Sequence, residues 1–145
     1  MAKRLKNVHI GGFQDSLFAP NSGWKLPTEF PDLSGAKMIG VDVEAKDPNL
    51  MTQGPGFIRG DARPVGISLA TEYGFKTYLP FGHAMGEQLD KEKVVSYVKE
   101  QMSRPNQIKV GANLMYDLEA LAYLGIEVQG PLADIQVAEP LLDED

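Results

Sequence analysis

The chain has 145 residues, 43% of them hydrophobic and 23% charged, which is typical of a single soluble globular domain. It contains no cysteine, and this excludes disulfides and thiolate metal sites. Its 14 basic and 20 acidic residues give a formal net charge of −6, which argues against a general attraction to nucleic-acid phosphates. Either nucleic acid is not the partner, or it is met by cations bound at a carboxylate cluster.

The sequence also predicts no membrane span, because no run of about 18 apolar residues is present. The basic N-terminus has no apolar stretch behind it, so it does not resemble a secretory signal. Residues 1–37 contain three prolines and scattered apolar side chains, and we expect an irregular arm there. Residues 38–145 are expected to form one folded domain.

The first half of this domain is predicted to be a meander of three strands. The strands are expected at Met38–Glu44, Val65–Thr71 and Phe75–Phe81, each a short apolar run with β-branched or aromatic residues. The turn at residues 72–74 joins the last two as a hairpin. Residues 46–64, rich in glycine and proline, are predicted to be a long loop.

The second half alternates strands and helices. It is predicted to contain a helix Lys91–Met102 capped by Asp90, a strand Ile108–Ala112, and a helix Leu114–Leu124 ended by Gly125. An extended piece Ile126–Val128 follows, and a last helix starts with Asp134 as its N-cap and is bent or split by Pro140. This order predicts an α/β fold with flanking helices. Its mixed sheet combines an antiparallel meander with parallel strands, in the order 3-2-1-4-5.

Asp42 and Glu44 are the first candidate site residues. Positions two apart on a strand project to the same face, so both carboxylates point the same way near the end of an apolar strand. Mutual repulsion between them would be relieved by a divalent cation such as Mg²⁺ or Mn²⁺. The alternative is that they only end a strand at the solvent edge.

A second group of candidates begins the helix at residue 114. Asn113 and Asp117 are four residues apart and lie on one face at the helix N-terminus. Asp117 alone is also explained by the helix dipole, and Asn113 by helix capping. Tyr116 is explained equally well as a core or surface residue.

Taken together, these segments resemble the 3′→5′ proofreading exonuclease domain of family A DNA polymerases, in the ribonuclease H-like superfamily. The resemblance covers roughly residues 38–143. It is carried by Val41–Glu44, Pro64–Ala70, Val110–Asp117, Leu124–Glu127 and Asp134–Ile135.

The resemblance implies hydrolysis of single-stranded DNA 3′ ends to nucleoside monophosphates with two divalent cations, Mg²⁺ or Mn²⁺. It implies that Asp42 bridges both cations, that Glu44 holds the one carrying the attacking water, and that Asp117 acts at the other. Asn113 and Tyr116 match positions that face the DNA 3′ end. A polymerase domain is the implied partner, and the cytoplasm of a bacterium or phage-infected host is the implied location.

The sequence departs from the family pattern in several ways. The family's third motif, Tyr-x-x-x-Asp, supplies a fourth carboxylate and is absent from these 145 residues, so we expect weakened metal binding and slow cleavage. Ala45 replaces a common threonine. In loop 46–64, Arg59 and Arg63 either reach phosphates or are solvated charges, and Leu50 or Met51 would wedge against the terminal base.

Three alternatives remain at this stage. The first is a stand-alone exoribonuclease of the same superfamily, which the 2′-hydroxyl would distinguish. The second is a non-catalytic module that binds DNA or supports a polymerase. The third is a chain whose exposed C-terminal flank makes it dimerise. His9 and His83 do not indicate zinc, since neither has a second histidine or a cysteine nearby, and we expect surface or packing roles for both.

Overall fold

The computed structural model describes residues 24–141, which form a five-stranded sheet in the predicted order β3-β2-β1-β4-β5. The strands are β1 (Met38–Lys46), β2 (Arg63–Thr71), β3 (Lys76–Pro80), β4 (Ile108–Gly111) and β5 (Leu132–Asp134). The helices are α1 (Leu50–Gln53), α2 (Lys91–Met102), α3 (Leu114–Tyr123) and α4 (Ile135–Ala138), and a 3₁₀ turn, Glu139–Leu141, follows. The first three strands are antiparallel, whereas β4 runs parallel to β1 and β5. The predicted mixed α/β fold is therefore confirmed.

The central strand β1 separates an apolar face of the sheet from an open one. Ile39, Val41 and Val43 are buried, while Asp42 and Glu44, which alternate with them, are exposed. Helices α2 and α3 cover the apolar face and share one hydrophobic cluster with it, contributing Val94, Val98, Met102, Ala120 and Leu121. Because this core lies on one face, the opposite face of β1 is left to carry polar groups.

The helix boundaries follow the predicted signals. Helix α2 spans the predicted residues, and the Asp90 side chain accepts a hydrogen bond from the Lys93 N–H at 2.9 Å. Helix α3 ends one residue earlier than predicted, and Gly125 follows it with a φ of 75°. Glycine adopts this left-handed conformation without the strain that a Cβ atom causes, so the predicted stop is confirmed.

The fifth strand is not where the sequence predicted it. The extended piece Ile126–Val128 is not a strand; instead, Ile126 is buried in the core. The N–H of Gln129 donates to the last residue of α2, and Gly130 turns the chain with a φ of 96°. Only after this turn does Leu132–Asp134 pair with β4. The apolar run Ile126–Val128 therefore contains a buried residue, but the prediction that it forms a strand of the sheet was wrong.

Two smaller differences concern short helical segments. The predicted loop 46–64 contains the single helical turn α1, and its end is taken up by an extension of β2 to Arg63. The last predicted helix begins after Asp134 as expected, but α4 gives way to a 3₁₀ turn that contains Pro140. Proline has no N–H to continue the α-helical bonding, which explains the change.

Residues 24–37 contain neither helix nor strand, and the part nearest the sheet packs on α2. The Leu33 N–H donates to Gln101 Oε1 at 3.0 Å, and the Tyr97 hydroxyl donates to the Pro31 carbonyl at 2.7 Å. Leu33 is buried, so this part of the expected arm belongs to the same core. Residues 1–23, including His9, lie outside the described residues. Between residues 24 and 141, no helix is both long and apolar enough to cross a membrane.

Candidate active site

Asp42 and Glu44 share the open face of β1, near its C-terminal end, as the sequence predicted. The pairing of β1 with β2 is interrupted directly after Glu44, where the register shifts before Ala45 pairs with Pro64. Such an irregularity bends a strand, and it is a position where a proline can be accommodated. The bend lies next to the two carboxylates, at the point where the chain leaves the sheet for the loop 47–62.

Asp117 reaches the same place from α3. Its side chain is 3% exposed, and its Oδ1 accepts a hydrogen bond from the backbone N–H of Val43 at 2.8 Å. The backbone pairing of β1 with β4 ends at Gly40 and Val110, so β4 is not paired with β1 at Val43. The Asp117 carboxylate thus satisfies a strand N–H and lies beside the peptide group that separates Asp42 from Glu44.

The charges of Asp42 and Glu44 act on the carboxylate of Asp117. Burial raises the pKa of Asp117 to about 6, although the hydrogen bond from Val43 acts in the opposite direction. The negative charges of Asp42, Asp134 and Glu44 add to the increase. A buried acid surrounded by other acids attracts a cation, because a positive charge would relieve both the burial and the repulsion.

The donor atoms suit a divalent cation, since Mg²⁺ and Mn²⁺ prefer carboxylate oxygens. Their arrangement is incomplete: within residues 24–141, no three Asp, Glu, His or Cys side chains lie close enough together to hold a metal ion. The chemistry of the site therefore fits the implied cations, whereas a closed set of three ligands is not formed by the described residues.

Asn113 precedes α3 in an unusual conformation. Its φ of 57° and ψ of 49° are left-handed, and it is the one non-glycine residue of the described chain with a positive φ. Its side chain is exposed and makes no capping hydrogen bond to α3. Asn113 therefore occupies the N-cap position of α3 without capping it through its side chain. A left-handed asparagine is often found at a functional site, where the surrounding structure holds it in place.

Asp134 performs the capping that was considered for Asn113. Its carboxylate accepts hydrogen bonds from the N–H groups of Leu114 at 2.7 Å and Asn113 at 3.1 Å, which begin α3. It also accepts one from Gln136 at 2.9 Å, as the predicted cap of the last helix. The bond from Leu114 is the largest cause of a lowered pKa for Asp134. The sequence predicted the local cap but not the link to α3.

Tyr116 is tied to the loop after β1 rather than projecting freely. Its hydroxyl donates to Asp47 Oδ2 at 3.4 Å, and its ring lies 5.2 Å from the ring of Phe57. Burial, followed by the charge of Asp47, raises the pKa of Tyr116 to about 12. Asp47 also accepts from the N–H of Gly56 at 3.0 Å. These contacts fix the loop against α3, on the side of the carboxylates.

The loop arginine Arg59 is exposed to solvent, and its guanidinium is also bonded within the loop. Its guanidinium donates to the carbonyls of three consecutive residues, Gln53, Gly54 and Pro55, and lies 3.3 Å from Asp61 Oδ1. These bonds brace the loop internally. Met51, one of the two proposed wedge residues, is 94% exposed.

Tyr78 and His83 form a pair that the sequence did not predict. The Tyr78 hydroxyl and His83 Nε2 share a hydrogen bond, and the two rings meet edge to face with centroids 5.9 Å apart. Burial, then the charges of Glu44 and Asp42, raise the pKa of Tyr78. Tyr78 and Asp42 both line a groove of about 700 Å³ on the open face of the sheet. The available signal was Gly66, a glycine inside a strand, which often marks a close approach.

Comparison with known families agrees with this arrangement. A family model described as 3′-5′ exonuclease, of the family A DNA polymerase type, matches residues 30–145. The chain belongs to this exonuclease family. The matched segment contains every candidate residue discussed above, from Asp42 to Asp134.

Curated relatives of this exonuclease domain are DNA polymerases. The chain is 40% identical over 129 residues to the DNA-directed DNA polymerase of Pseudomonas phage M6, a match covering 86% of the chain and 19% of the polymerase. It is 34% identical over 116 residues to DNA polymerase I of Pseudomonas aeruginosa, covering 77% of the chain and 12% of the polymerase. The chain thus spans less than a fifth of the length of these two relatives.

Solved structures show the same fold at low sequence identity. The NrnC protein of Brucella melitensis bound to pGG has a TM-score of 0.53 at 12% identity, covering 76% of this chain and 48% of its own. RNase D of Trypanosoma brucei has a TM-score of 0.52 at 22% identity, and the match covers 71% of this chain and 32% of the RNase D chain. The POL domain of Pol1 from M. smegmatis, in complex with DNA primer-template and dNTP, has a TM-score of 0.51 at 15% identity. This match covers 74% of this chain and 16% of the Pol1 chain. These likenesses support the ribonuclease H-like fold.

Proposed function

We propose that this exonuclease domain hydrolyses the terminal phosphodiester of single-stranded DNA 3′ ends and releases nucleoside monophosphates. The observation that carries the proposal is the hydrogen bond from Val43 to Asp117. It brings a carboxylate of α3 to the peptide group between Asp42 and Glu44, so two residues 74 positions apart in sequence are in contact. The polymerase relatives support DNA rather than RNA as the substrate.

Divalent cations are part of the proposal. Asp42 and Glu44 would hold them on the open face of β1. Asp117, which is buried on α3, would contribute a further carboxylate when a bound cation neutralises its charge. When bound, such cations supply an acidified water and stabilise the charge of the attacking and leaving oxygens. A structure of NrnC is described with bound Mg²⁺, which supports this type of cation in the fold.

Residues at the start of α3 would place the DNA. The Asn113 side chain is free of capping, so we assign it to a hydrogen bond with the terminal nucleotide. Tyr116 keeps its proton at neutral pH and would line the approach to the carboxylates, with its ring held by Phe57. Both assignments place polar contacts at the 3′ end and leave the base without specific recognition.

A polymerase domain is the proposed partner in the complete protein, because the two curated relatives are polymerases several times longer than this chain. Their bacterial and phage origin supports a cytoplasmic location. Apolar side chains near the end of the described chain are exposed: Leu132, Ile135, Val137 and Leu141. They would contact the polymerase domain, and the mass in solution would show whether the isolated chain pairs through them instead.

The isolated chain is expected to cleave slowly. Its described residues supply three of the four carboxylates that the family resemblance implies, and each group in a preorganised site typically contributes about 10²–10³ in rate. Substrate binding and direction of cleavage would remain measurable under single-turnover conditions with excess protein.

The test is degradation of a 5′-labelled single-stranded DNA with Mn²⁺. A 3′→5′ exonuclease produces a descending ladder, and a phosphorothioate at the terminal linkage slows its start. Asp42→Asn should abolish the ladder, while Glu92→Gln, an exposed acid on α2, should leave it unchanged. Faster cleavage of RNA of the same sequence would favour the exoribonuclease alternative. Absence of cleavage by the wild-type chain at any protein excess would favour the non-catalytic module.

A further inference from the structure

Tyr78 approaches the carboxylates across β2 at a residue that has no side chain. Gly66 of β2 pairs directly with Glu44 of β1. Paired residues on neighbouring antiparallel strands project to the same face, with Cβ atoms roughly 4.5–5.5 Å apart. A side chain at Gly66 would therefore stand beside Glu44. The space that it would occupy belongs to Tyr78, which is on the next strand.

Tyr78 lies so close to Gly66 that a side chain at this position would overlap the phenol. A Cβ atom built on Gly66 would lie 2.1 Å from the Tyr78 hydroxyl oxygen and 2.5 Å from its Cζ. The phenol end of Tyr78 thus takes the position from which a residue opposite Glu44 would project. The register consequently places a hydroxyl next to the second candidate carboxylate.

His83 holds the hydroxyl in this position. The imidazole Nε2 is hydrogen bonded to the Tyr78 hydroxyl, and the backbone of His83 is itself fixed, because its N–H donates to Gln88 Oε1 at 3.1 Å. Gln88 in turn donates to the Met85 carbonyl at 3.2 Å. A neutral imidazole that donates through Nε2 leaves the hydroxyl proton available to another acceptor.

Glu44 lacks an orienting partner of its own. Within residues 24–141, no hydrogen bond or ion pair of its side chain is formed, whereas Asp117 accepts a hydrogen bond from Val43. A long exposed side chain without a partner samples several rotamers, and a catalytic group needs one.

We propose that Tyr78, held by His83, is a positioning residue: when the Glu44 side chain turns toward Gly66, the Tyr78 hydroxyl donates a hydrogen bond to its carboxylate and fixes its orientation for cleavage. This inference rests on the proposed exonuclease function. It differs from a packing role, in which the Tyr78 ring only fills the space over Gly66 and the hydroxyl is dispensable.

The first experiment removes the hydroxyl and keeps the ring, with Tyr78→Phe in the full chain. The matched control is Tyr73→Phe, whose hydroxyl donates to the Gly35 carbonyl at 3.2 Å beside the turn between β2 and β3. We expect Tyr78→Phe to lower the single-turnover rate at saturating DNA roughly 10-fold, since a hydrogen bond to a charged group is worth about one to two powers of ten. The DNA concentration giving half the maximal rate and the unfolding midpoint should stay unchanged.

A second readout does not require cleavage. Calorimetric titration with Mn²⁺ should show several-fold weaker binding to Tyr78→Phe than to the wild type or Tyr73→Phe, because a disordered Glu44 is a poorer ligand. His83→Ala should reproduce this loss, and His83→Gln, which restores a side-chain amide donor, should recover part of it.

A double-mutant comparison decides whether Tyr78 acts through Glu44. In a Glu44→Gln background, Tyr78→Phe should have no further effect on Mn²⁺ binding or rate. Wild-type rate and Mn²⁺ affinity in Tyr78→Phe, or an equal loss in both backgrounds, would overturn the inference and leave the proposed function intact. A wild-type chain that neither binds Mn²⁺ nor cleaves DNA would overturn both.

Discussion

Asp117 Oδ1 accepts the backbone N–H of Val43 at 2.8 Å, so the third candidate carboxylate is fastened to the peptide between the first two. This bond gives Asp117 two roles that can be separated. One is structural, because it satisfies an N–H of β1 where the pairing with β4 has ended. The other is chemical, because it places a buried charge beside Asp42 and Glu44.

Substitutions at Asp117 should separate these roles. Asp117→Asn keeps an oxygen that accepts from Val43 but removes the charge, so we expect unchanged or higher stability together with at least a 100-fold loss of cleavage. Asp117→Ala leaves the buried N–H without a partner and should lower the free energy of unfolding by about 1–3 kcal/mol. Urea unfolding and the DNA ladder assay measure both effects. Wild-type cleavage by Asp117→Asn would restrict Asp117 to its structural role.

The raised pKa of Asp117 predicts how stability depends on pH in the absence of metal. The folded-state pKa of about 6 lies above the ordinary value of 3.8, so the folded chain binds an extra proton between these values. Stability should therefore increase as the pH falls from above 6 toward 4, and this contribution is lost as the pH rises through 6. The rise of the Asp117 pKa from 3.8 to about 6 corresponds to roughly 3 kcal/mol of unfolding free energy at most.

The control for this pH dependence is Asp117→Asn, because other groups titrate too. Asp134 has a lowered pKa, so its contribution is lost at lower pH, as acid protonates it. Subtracting the unfolding curve of Asp117→Asn from that of the wild type removes such contributions. A flat difference between pH 4 and pH 7 would show that Asp117 titrates normally.

Asp134 should matter more to stability than an ordinary helix cap. Asp90, which accepts from one N–H of α2, is the matched comparison, and Asp90→Ala should lower the unfolding free energy by about 1 kcal/mol. Asp134→Ala removes the acceptor of three N–H groups and releases the start of α3, so it should lower the free energy of unfolding by more than Asp90→Ala does. It should also weaken cleavage, because Asn113 loses the bond that holds its left-handed conformation. An equal loss of unfolding free energy in urea unfolding of the two variants would contradict the link that Asp134 makes between α3 and α4.

Gly66→Ala tests the closeness of β2 and Tyr78. The added methyl group would overlap the phenol, so the ring must move, and such overpacking typically lowers stability by about 1–3 kcal/mol. Gly40→Ala on β1 is the control, since the nearest atom to its added methyl would be 3.6 Å away. Thermal unfolding compares them, and Tyr78→Leu in the Gly66→Ala background should recover part of the loss. Unchanged stability in Gly66→Ala would show that Tyr78 is not held over this residue.

Most of the fold could be predicted because its signals are local. The apolar run of β1, the Asp90 cap of α2 and the Gly125 stop of α3 all depend on neighbouring residues. The location of β5 could not, because three residues pair with β4 only after Gly130 has turned the chain. Nothing in the apolar run Ile126–Val128 distinguishes a core anchor from a strand.

The candidate site divides in the same way. The shared face of Asp42 and Glu44 follows from the alternation of a strand, and the approach of Asp117 from the family resemblance. The Tyr78–His83 pair and the bonds of Asp134 to α3 depend on which strands and helices become neighbours in space. In the sequence, these contacts are indicated only weakly, by a glycine at position 66 and by a polar residue at the end of β5.

The most direct measurement is a calorimetric titration of Mn²⁺ into the wild-type chain, Asp42→Asn and Glu92→Gln. We expect binding by the wild type and by Glu92→Gln, and at least a tenfold loss in Asp42→Asn, because Asp42 shares the open face of β1 with Glu44, beside the peptide group that Asp117 contacts. Equal binding by all three proteins, or none by any, would contradict a metal-dependent site at Asp42.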